Sequence, residues 1–329
     1  MKAVVMDSFG AADVMRLGEI PTPTPKAHQV LIEVAAAAVN RPDIIQRQGH
    51  YPPPAGESDI LGLECAGTIV EVGDAVETYT PGDRVFALVG GGAYANLAVA
   101  DAAQVLPMPR QMRYEQAACI AETYITAFMN LFQNAMLNDG ESVLLHGGGG
   151  GVNMAAIQLV GALCPESPMI VTASARKIDR VADLGVDLVI NYGEQDFADE
   201  IERFTGGRGV DVILDHIGAA YFKQNLEALA VNGRLVIIGI MQGSKAELNL
   251  GRLMIRRQRI IGSVLRLRPD HEKAAIVSDF ALTVMPLFEN GRIEPLIDSV
   301  FPIEQVGDAH RRMEAGEHFG KIVLVMEEK

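Results

Sequence analysis

The chain has 329 residues, more than one ordinary core organises and enough for two domains. Hydrophobic residues make up 49% and charged residues 21%, a globular balance, and no apolar run nears the ~20 residues that cross a bilayer. The net charge of −14 speaks against a nucleic-acid partner, since phosphates are held by a field of opposite sign.

The start, Met1-Lys2-Ala3-Val4-Val5-Met6-Asp7, meets an acid too early for a signal peptide and reads as a strand. Cys65, Cys119 and Cys164 are odd in number and form no CxxC, which fits reduced thiols in a cytoplasm. Pro21, Pro23 and Pro25 forbid a helix. Residues 29–39, rich in Val, Ile and Ala, predict a strand, as do 67–73, where polar and apolar residues alternate. Pro81-Gly82-Asp83-Arg84 is a turn into a strand at 85–89. Residues 1–122 thus read as a β-rich module.

A helical spacing of apolar residues follows at 114–134. From there strands at 143–146, 169–172, 188–190, 210–214, 235–240 and 260–265 alternate with helices that include 152–163, 177–184 and 221–230. Six strands with intervening helices predict a doubly wound parallel sheet, and strands as apolar as VLLH and MIVT need both faces covered. A helix at 271–289 ends at Asn290-Gly291, and 295–301 and 321–326 read as strands again. The chain is therefore expected to leave the α/β domain, 123–267, and return to a β-rich domain built from 1–122 and 268–329, with a cleft between the two. The basic run 252–268 is open to three readings: a solvated surface, an anion site or an RNA-binding strip.

The strongest motif is residues 142–152, SVLLHGGGGGV, a strand that runs into five glycines and opens a helix. Glycines let main-chain N–H groups approach a pyrophosphate, whose charge also suits a helix N-terminus. After the second strand the stretch Thr172-Ala173-Ser174-Ala175-Arg176-Lys177 has no acid for a ribose 2′-hydroxyl, and its hydroxyl and basic residues suit a 2′-phosphate. NADPH is the expected cofactor.

Together VNRPDIIQRQGHYPPP (39–54), ILGLECAGTIVEVG (60–73), ETYITAF, AAIQL, NYGEQDF, ILDHIG, GRLVIIGIMQG and the tail AHRRMEAGEHFGKIVL carry a resemblance across the whole chain. The sequence resembles the quinone oxidoreductase branch of the medium-chain dehydrogenase/reductase superfamily, most closely its tumour-suppressor-inducible members and their bacterial relatives. That resemblance implies a Rossmann domain inserted into a β-rich GroES-like catalytic domain, a homodimer, and zinc-free hydride transfer from NADPH to a quinone in the interdomain cleft. Zinc-dependent relatives place ligands where this chain has Asn40, Leu63 and Glu122, and leucine ligates no metal. His310 and His318 are expected at the surface.

By the same resemblance Gly150, Gly151 and Val152 would cradle the pyrophosphate; Ser174, Lys177 and Tyr192 would hold the adenosine end; and Ile217, Gly239, Ile240 and Met241 would flank the far side. Leu265 and Arg266 would lie near the nicotinamide, and Asn40, Tyr51 and Thr126 would face it and the substrate. Thr126 is also readable as an ordinary helix residue and Tyr51 as a turn-packing ring. Asn153 stands where the fingerprint usually has glycine, predicting a helix slightly further from its strand, and Gly150 stands where close relatives often have serine. Tyr51 or Asn40 would hydrogen-bond the quinol oxyanion, with solvent supplying the proton. Reduction of an activated C=C bond in an enal or enone is the nearest rival; an NADPH-binding redox sensor or RNA-binding protein is the rival of another class.

Overall fold

A computed structural model describes residues 1–326. The first stretch of chain forms β1 (Lys2–Met6), β2 (Met15–Glu19), β3 (Gln29–Val39), α1 (Arg41–Arg47), β4 (Glu64–Val72), β5 (Arg84–Leu88), β6 (Leu97–Asp101), β7 (Val105–Pro107), α2 (Tyr114–Ala117) and α3 (Ala121–Phe128). Then come β8 (Val143–His146), α4 (Gly151–Leu163), β9 (Met169–Ala173), α5 (Ile178–Ala182), β10 (Leu188–Asn191), α6 (Phe197–Thr205), β11 (Val210–Asp215), α7 (Ala219–Ala228), β12 (Leu229–Ile237), α8 (Leu250–Arg256) and β13 (Arg259–Gly262). The chain closes with α9 (Asp270–Glu289), β14 (Ile297–Pro302), α10 (Val306–Glu314) and β15 (Lys321–Val325).

Two compact units result: Met1–Ile125 with the residues from Arg266 onward, and Thr126–Leu265. The breaks fall at 125/126 and 265/266, where 122/123 and 267/268 were expected; the second break is earlier because Arg266 is tied to the first unit, as is Glu122 at the other side. The Glu122 N–H donates to Glu64 Oε2 at 2.8 Å, and the Arg266 guanidinium donates to the Gly90 carbonyl at 2.6 and 2.9 Å.

In the first unit the main sheet runs β14-β15-β3-β4-β5-β7, with β6 also pairing β3. The C-terminal strand β15 lies antiparallel to β3, Ile322 opposite Val39 and Val325 opposite Ala36. Val30, Ile32, Ile69, Val85, Tyr94 and Leu324 fill the core. In the second unit six parallel strands run β10-β9-β8-β11-β12-β13. Leu144, Ile170, Ile213 and Leu235 of this sheet pack against Phe197, Ile201 and Leu226 of the covering helices.

Several expectations are corrected. The single helix expected at 114–134 is broken: the N–H groups of Cys119 and Ile120 donate only to residues three back, and a π-helical turn, Met129–Asn134, follows α3. Asn130 Nδ2 donates to the Thr126 carbonyl (2.8 Å) while the Ala135 N–H reaches back five residues to Asn130, which widens that turn. The helix expected at 221–230 spans 219–228, because Leu229 is extended and begins β12; that strand ends at Ile237 and β13 at Gly262. Helix α1 had no counterpart in the strand-and-turn reading. Asn40 is extended, Pro42 presets the first turn, and the Asp43 carboxylate accepts the Asn40 N–H at 2.8 Å.

The basic run is not one strip. Arg252 donates to the Leu226 and Glu227 carbonyls and Arg256 to Leu229, so these arginines cap the C-terminal end of α7. His310 and His318 are buried, not at the surface. The His310 ring accepts from Arg47 Nη1 at Nδ1 and donates from Nε2 to the Tyr94 hydroxyl, both at 3.2 Å; Tyr94 donates onward to Asp43. Burial first, then Arg47, pushes the His310 pKa down to about 3. All three cysteines are buried and reduced, with the Cys65 thiol pushed up to about 12 by burial. Among the described residues no helix is long and apolar enough to cross a membrane.

Candidate active site and dinucleotide cradle

In the second unit β8 enters the glycine run at its C-terminal end. Gly147 and Gly149 have φ of +77° and +95°, where a side chain is strained. At Gly148 a Cβ would come within 2.7 Å of Val171 and 2.9 Å of Val181. Gly150 is the extended N-cap of α4, so the first-turn N–H groups of Gly151 and Val152 have no intrahelical acceptor and offer an anion site. A Cβ at Gly150 would meet only the Gly147 carbonyl, at 3.5 Å, so a serine there would fit. Asn153 is not a spacer. Its side chain is 1% exposed and its amide donates to the carbonyls of His146 and Gly147, stapling the loop from beneath.

The loops after β11 and β12 are zipped together: Met241 N–H donates to the His216 carbonyl (3.1 Å) and Gln242 N–H to Ile217 (2.7 Å). The Ile217 N–H is held by Asp215 Oδ1 at 2.7 Å, Asp215 accepts from Asn225 Nδ2 at 3.2 Å, and His146 Nε2 donates to Asn225 Oδ1 at 2.7 Å. His146, pushed down to about 3 by burial, is neutral and takes Thr172 Oγ1–H at Nδ1. Gly239, Ile240 and Met241 sit on this zipped pair, with Ile240 and Met241 exposed. At the end of β9, Ser174 opens a 3-10 turn that carries Lys177, and the Tyr192 N–H donates to the Ala173 carbonyl. Tyr192 is 46% exposed. Thr126 lies on α3 at one edge of this unit, and Leu265, 5% exposed, at the other.

The first unit holds a polar cluster. Lys321 Nζ donates to Asn40 Oδ1 (2.6 Å) and Val39 O (3.0 Å) and lies 2.9 Å from Glu64 Oε1. Asn40 Nδ2 donates to Glu64 Oε1 (2.9 Å) and Ala38 O (3.2 Å), so both its amide hydrogens are engaged. Glu122, partly buried, is pushed up to about 8, by burial first and then by Glu64 and Asp43, against Lys321 and Arg266. Its carboxyl has no hydrogen-bond partner among the described residues. Arg266 is buried; besides Gly90 it donates to Gln46 Oε1 (2.7 Å) and Tyr51 O (3.4 Å), and its guanidinium lies 5.2 Å from the Tyr51 ring centroid. Burial, then Glu122, holds the Tyr51 phenol above its ordinary value, against Arg266.

Sequence reasoning brought Asn40 and Tyr51 to this cluster but missed Glu64 and Lys321. The signals were there: a glutamate inside ILGLECAG and a lysine opening the apolar strand KIVLV. The residues do not fit a catalytic zinc. Leu63 is 1% exposed and apolar, and the Lys321 ammonium holds the oxygen of Asn40.

Residues 26–110 match the family described as the alcohol dehydrogenase GroES-like domain, and 184–324 match one described as zinc-binding dehydrogenase. The chain is 33% identical to the quinone oxidoreductase of Lama guanicoe, over 99% of this chain and 98% of that one. It belongs to the quinone oxidoreductase branch of the medium-chain dehydrogenase/reductase superfamily. Of this branch, the Escherichia coli quinone oxidoreductase complexed with NADPH superposes with a TM-score of 0.87 at 26% identity, covering 99% and 100% of the two chains. The CurK enoyl reductase gives 0.87 at 27%, covering 99% of each. The chain is thus an oxidoreductase with the α/β architecture of that superfamily.

Proposed function

We propose that this chain reduces a quinone with NADPH and without zinc. The observation that carries the reading is Tyr51, a partly buried phenol anchored by Arg266, beside a cluster in which Asn40 has no amide hydrogen left to give. NADPH bound at the glycine loop would supply the hydride. The chain's own residues would orient it: Gly151 and Val152 at the pyrophosphate, Lys177 and Tyr192 at the 2′-phosphate. A quinone that gains hydride becomes a resonance-stabilised oxyanion, so one hydrogen bond from Tyr51 and a solvent proton suffice. Asn40 holds Glu64 and Lys321 in place. The test is NADPH oxidation across quinones, enones and aldehydes, on wild type and Tyr51→Phe. The variant should keep its NADPH affinity and lose about 5- to 150-fold in kcat/KM, one hydrogen bond of roughly 1–3 kcal/mol. An unaltered rate with every good substrate makes Tyr51 a packing ring.

Enone reduction has an observation of its own in favour. It needs a proton on carbon as well as the hydride, and Glu122 is a carboxylic acid protonated up to about pH 8. An enoyl reductase among the structural neighbours points the same way. Faster turnover of enones than quinones in the same screen selects it, and no steady-state NADPH oxidation at all selects a sensor.

A homodimer is part of the proposal. β13 is one of the two edges of the second unit's sheet, and nearby Val264, Met254 and Ile255 are exposed. Light scattering at micromolar concentration should give twice the 35.4 kDa chain mass; a monomer contradicts it.

A further inference from the structure

Two histidines stand at the C-terminal ends of β8 and β11, and they differ in kind. His146 is fully buried and its ring nitrogens face Thr172 and Asn225. His216, one residue past β11, is only partly buried. Its ring lies against the glycine loop: a Cβ on Gly147 would come 2.7 Å from both His216 Cε1 and Nε2. Its backbone lies against the other loop, where a Cβ on Gly239 would meet His216 O at 3.0 Å and Cβ at 3.1 Å, and its carbonyl takes the Met241 N–H. The imidazole therefore fills the gap between the loop that opens α4 and the zipped pair that carries Ile217, Ile240 and Met241. β8 and β11 are sheet neighbours although β9 and β10 intervene in sequence, so the order reverses there, and a dinucleotide bound to such a sheet crosses at the reversal.

We propose that His216 is a cofactor contact, its imidazole reaching the central diphosphate and the ribose beside it while leaving the adenosine end to Lys177 and Tyr192. The inference rests on the NADPH reading above and deepens it. An imidazole is a hydrogen-bond donor to phosphate oxygens, and Gly147 is the residue that lets it lie so close to the N-terminus of α4.

The test is direct binding by calorimetry with three probes: NADPH, 2′-phospho-ADP-ribose, which keeps the diphosphate and both riboses, and 2′,5′-ADP, which keeps the adenosine end with a single 5′-phosphate and lacks the second phosphate and ribose. His216→Ala should weaken NADPH and 2′-phospho-ADP-ribose about tenfold and 2′,5′-ADP less than twofold. His216→Asn, which keeps an N–H donor, should recover part of that loss. Thermal unfolding of each variant reports whether the loops still fold. Equal weakening of all three probes, or of none, in a folded variant overturns the His216 assignment. Wild type that binds no probe overturns the NADPH reading instead.

Discussion

Replacing Lys177 by glutamate is expected to weaken NADPH binding by roughly 10- to 150-fold or more and NADH binding little. No acid stands between Thr172 and Ile178 to accept a ribose hydroxyl or repel a 2′-phosphate. Lys177 and Tyr192 flank the end of β9, one from the 3-10 turn after Ser174 and one just beyond β10. Each charge-assisted hydrogen bond to that phosphate would contribute roughly 1.5–3 kcal/mol, so the variant would lose the Lys177 share, and Lys177 and Tyr192 together would favour NADPH over NADH by roughly 10²- to 10⁴-fold. Tyr192 is 46% exposed, so salt pulls the preference toward the lower end. Titrating both cofactors into wild type and variant at fixed ionic strength decides it. Equal wild-type affinities, or a variant that loses both cofactors alike, sink the assignment.

The second large effect is expected in the buried cluster of the first unit. Lys321→Met removes the cation that, among the described residues, lies within 2.9 Å of Glu64, and leaves a fully buried carboxylate with N–H partners from Asn40 and Glu122. Breaking a buried pair from one side costs about 3–5 kcal/mol, or roughly 6–20 °C in Tm. Adding Glu64→Gln should return much of that loss, because removing both charges avoids the unpaired one. Glu122 gives the pH arm. It is protonated up to about 8 in the folded state and only up to about 4.5 unfolded, so folding takes up a proton between those values. Its contribution is complete below pH 4.5 and is lost as pH rises toward 8, at no more than about 1.4 kcal/mol per pH unit. Glu122→Gln should therefore flatten the decline in stability between pH 5 and 8. A Lys321→Met protein as stable as wild type, or a Glu122→Gln curve parallel to wild type, refutes this account.

What was legible in the sequence was whatever has a period or a spacing. The six strands of the parallel sheet announce themselves as apolar runs between amphipathic segments, and the glycine run as strand, turn and helix. What stayed hidden depends on partners far away in sequence. Nothing near residue 114 says that the helix must break for the Glu122 N–H to reach Glu64. Nothing in AHRRMEAG says that His310 is buried against Arg47, 263 residues earlier. Asn153 misled for a related reason: beside its own helix it looks like a bulky substitute for glycine, whereas its amide serves two carbonyls of the preceding loop. Asn40 was read as a residue facing the nicotinamide and substrate; that its amide is already engaged shows only once Glu64 and Lys321 are beside it.

The pairing of β15 with β3 has a consequence for how the protein is made. Strand β3 waits for a neighbour that lies some 280 residues downstream, and Lys321 reaches Asn40 across a separation of 281. The parallel sheet, by contrast, draws all six of its strands from within Thr126–Leu265. At roughly 5–20 residues per second on the ribosome, the inserted unit is complete several seconds before Lys321 is synthesised. During that interval the Ala36–Val39 half of one flank of β3 stands open, beyond the stretch that β6 pairs, and Glu64 lacks Lys321, which leaves that edge exposed to mispairing. Loss of the last strand by premature termination would therefore damage the segment around Asn40 first, and the nascent chain is most in need of a chaperone after its middle has already folded.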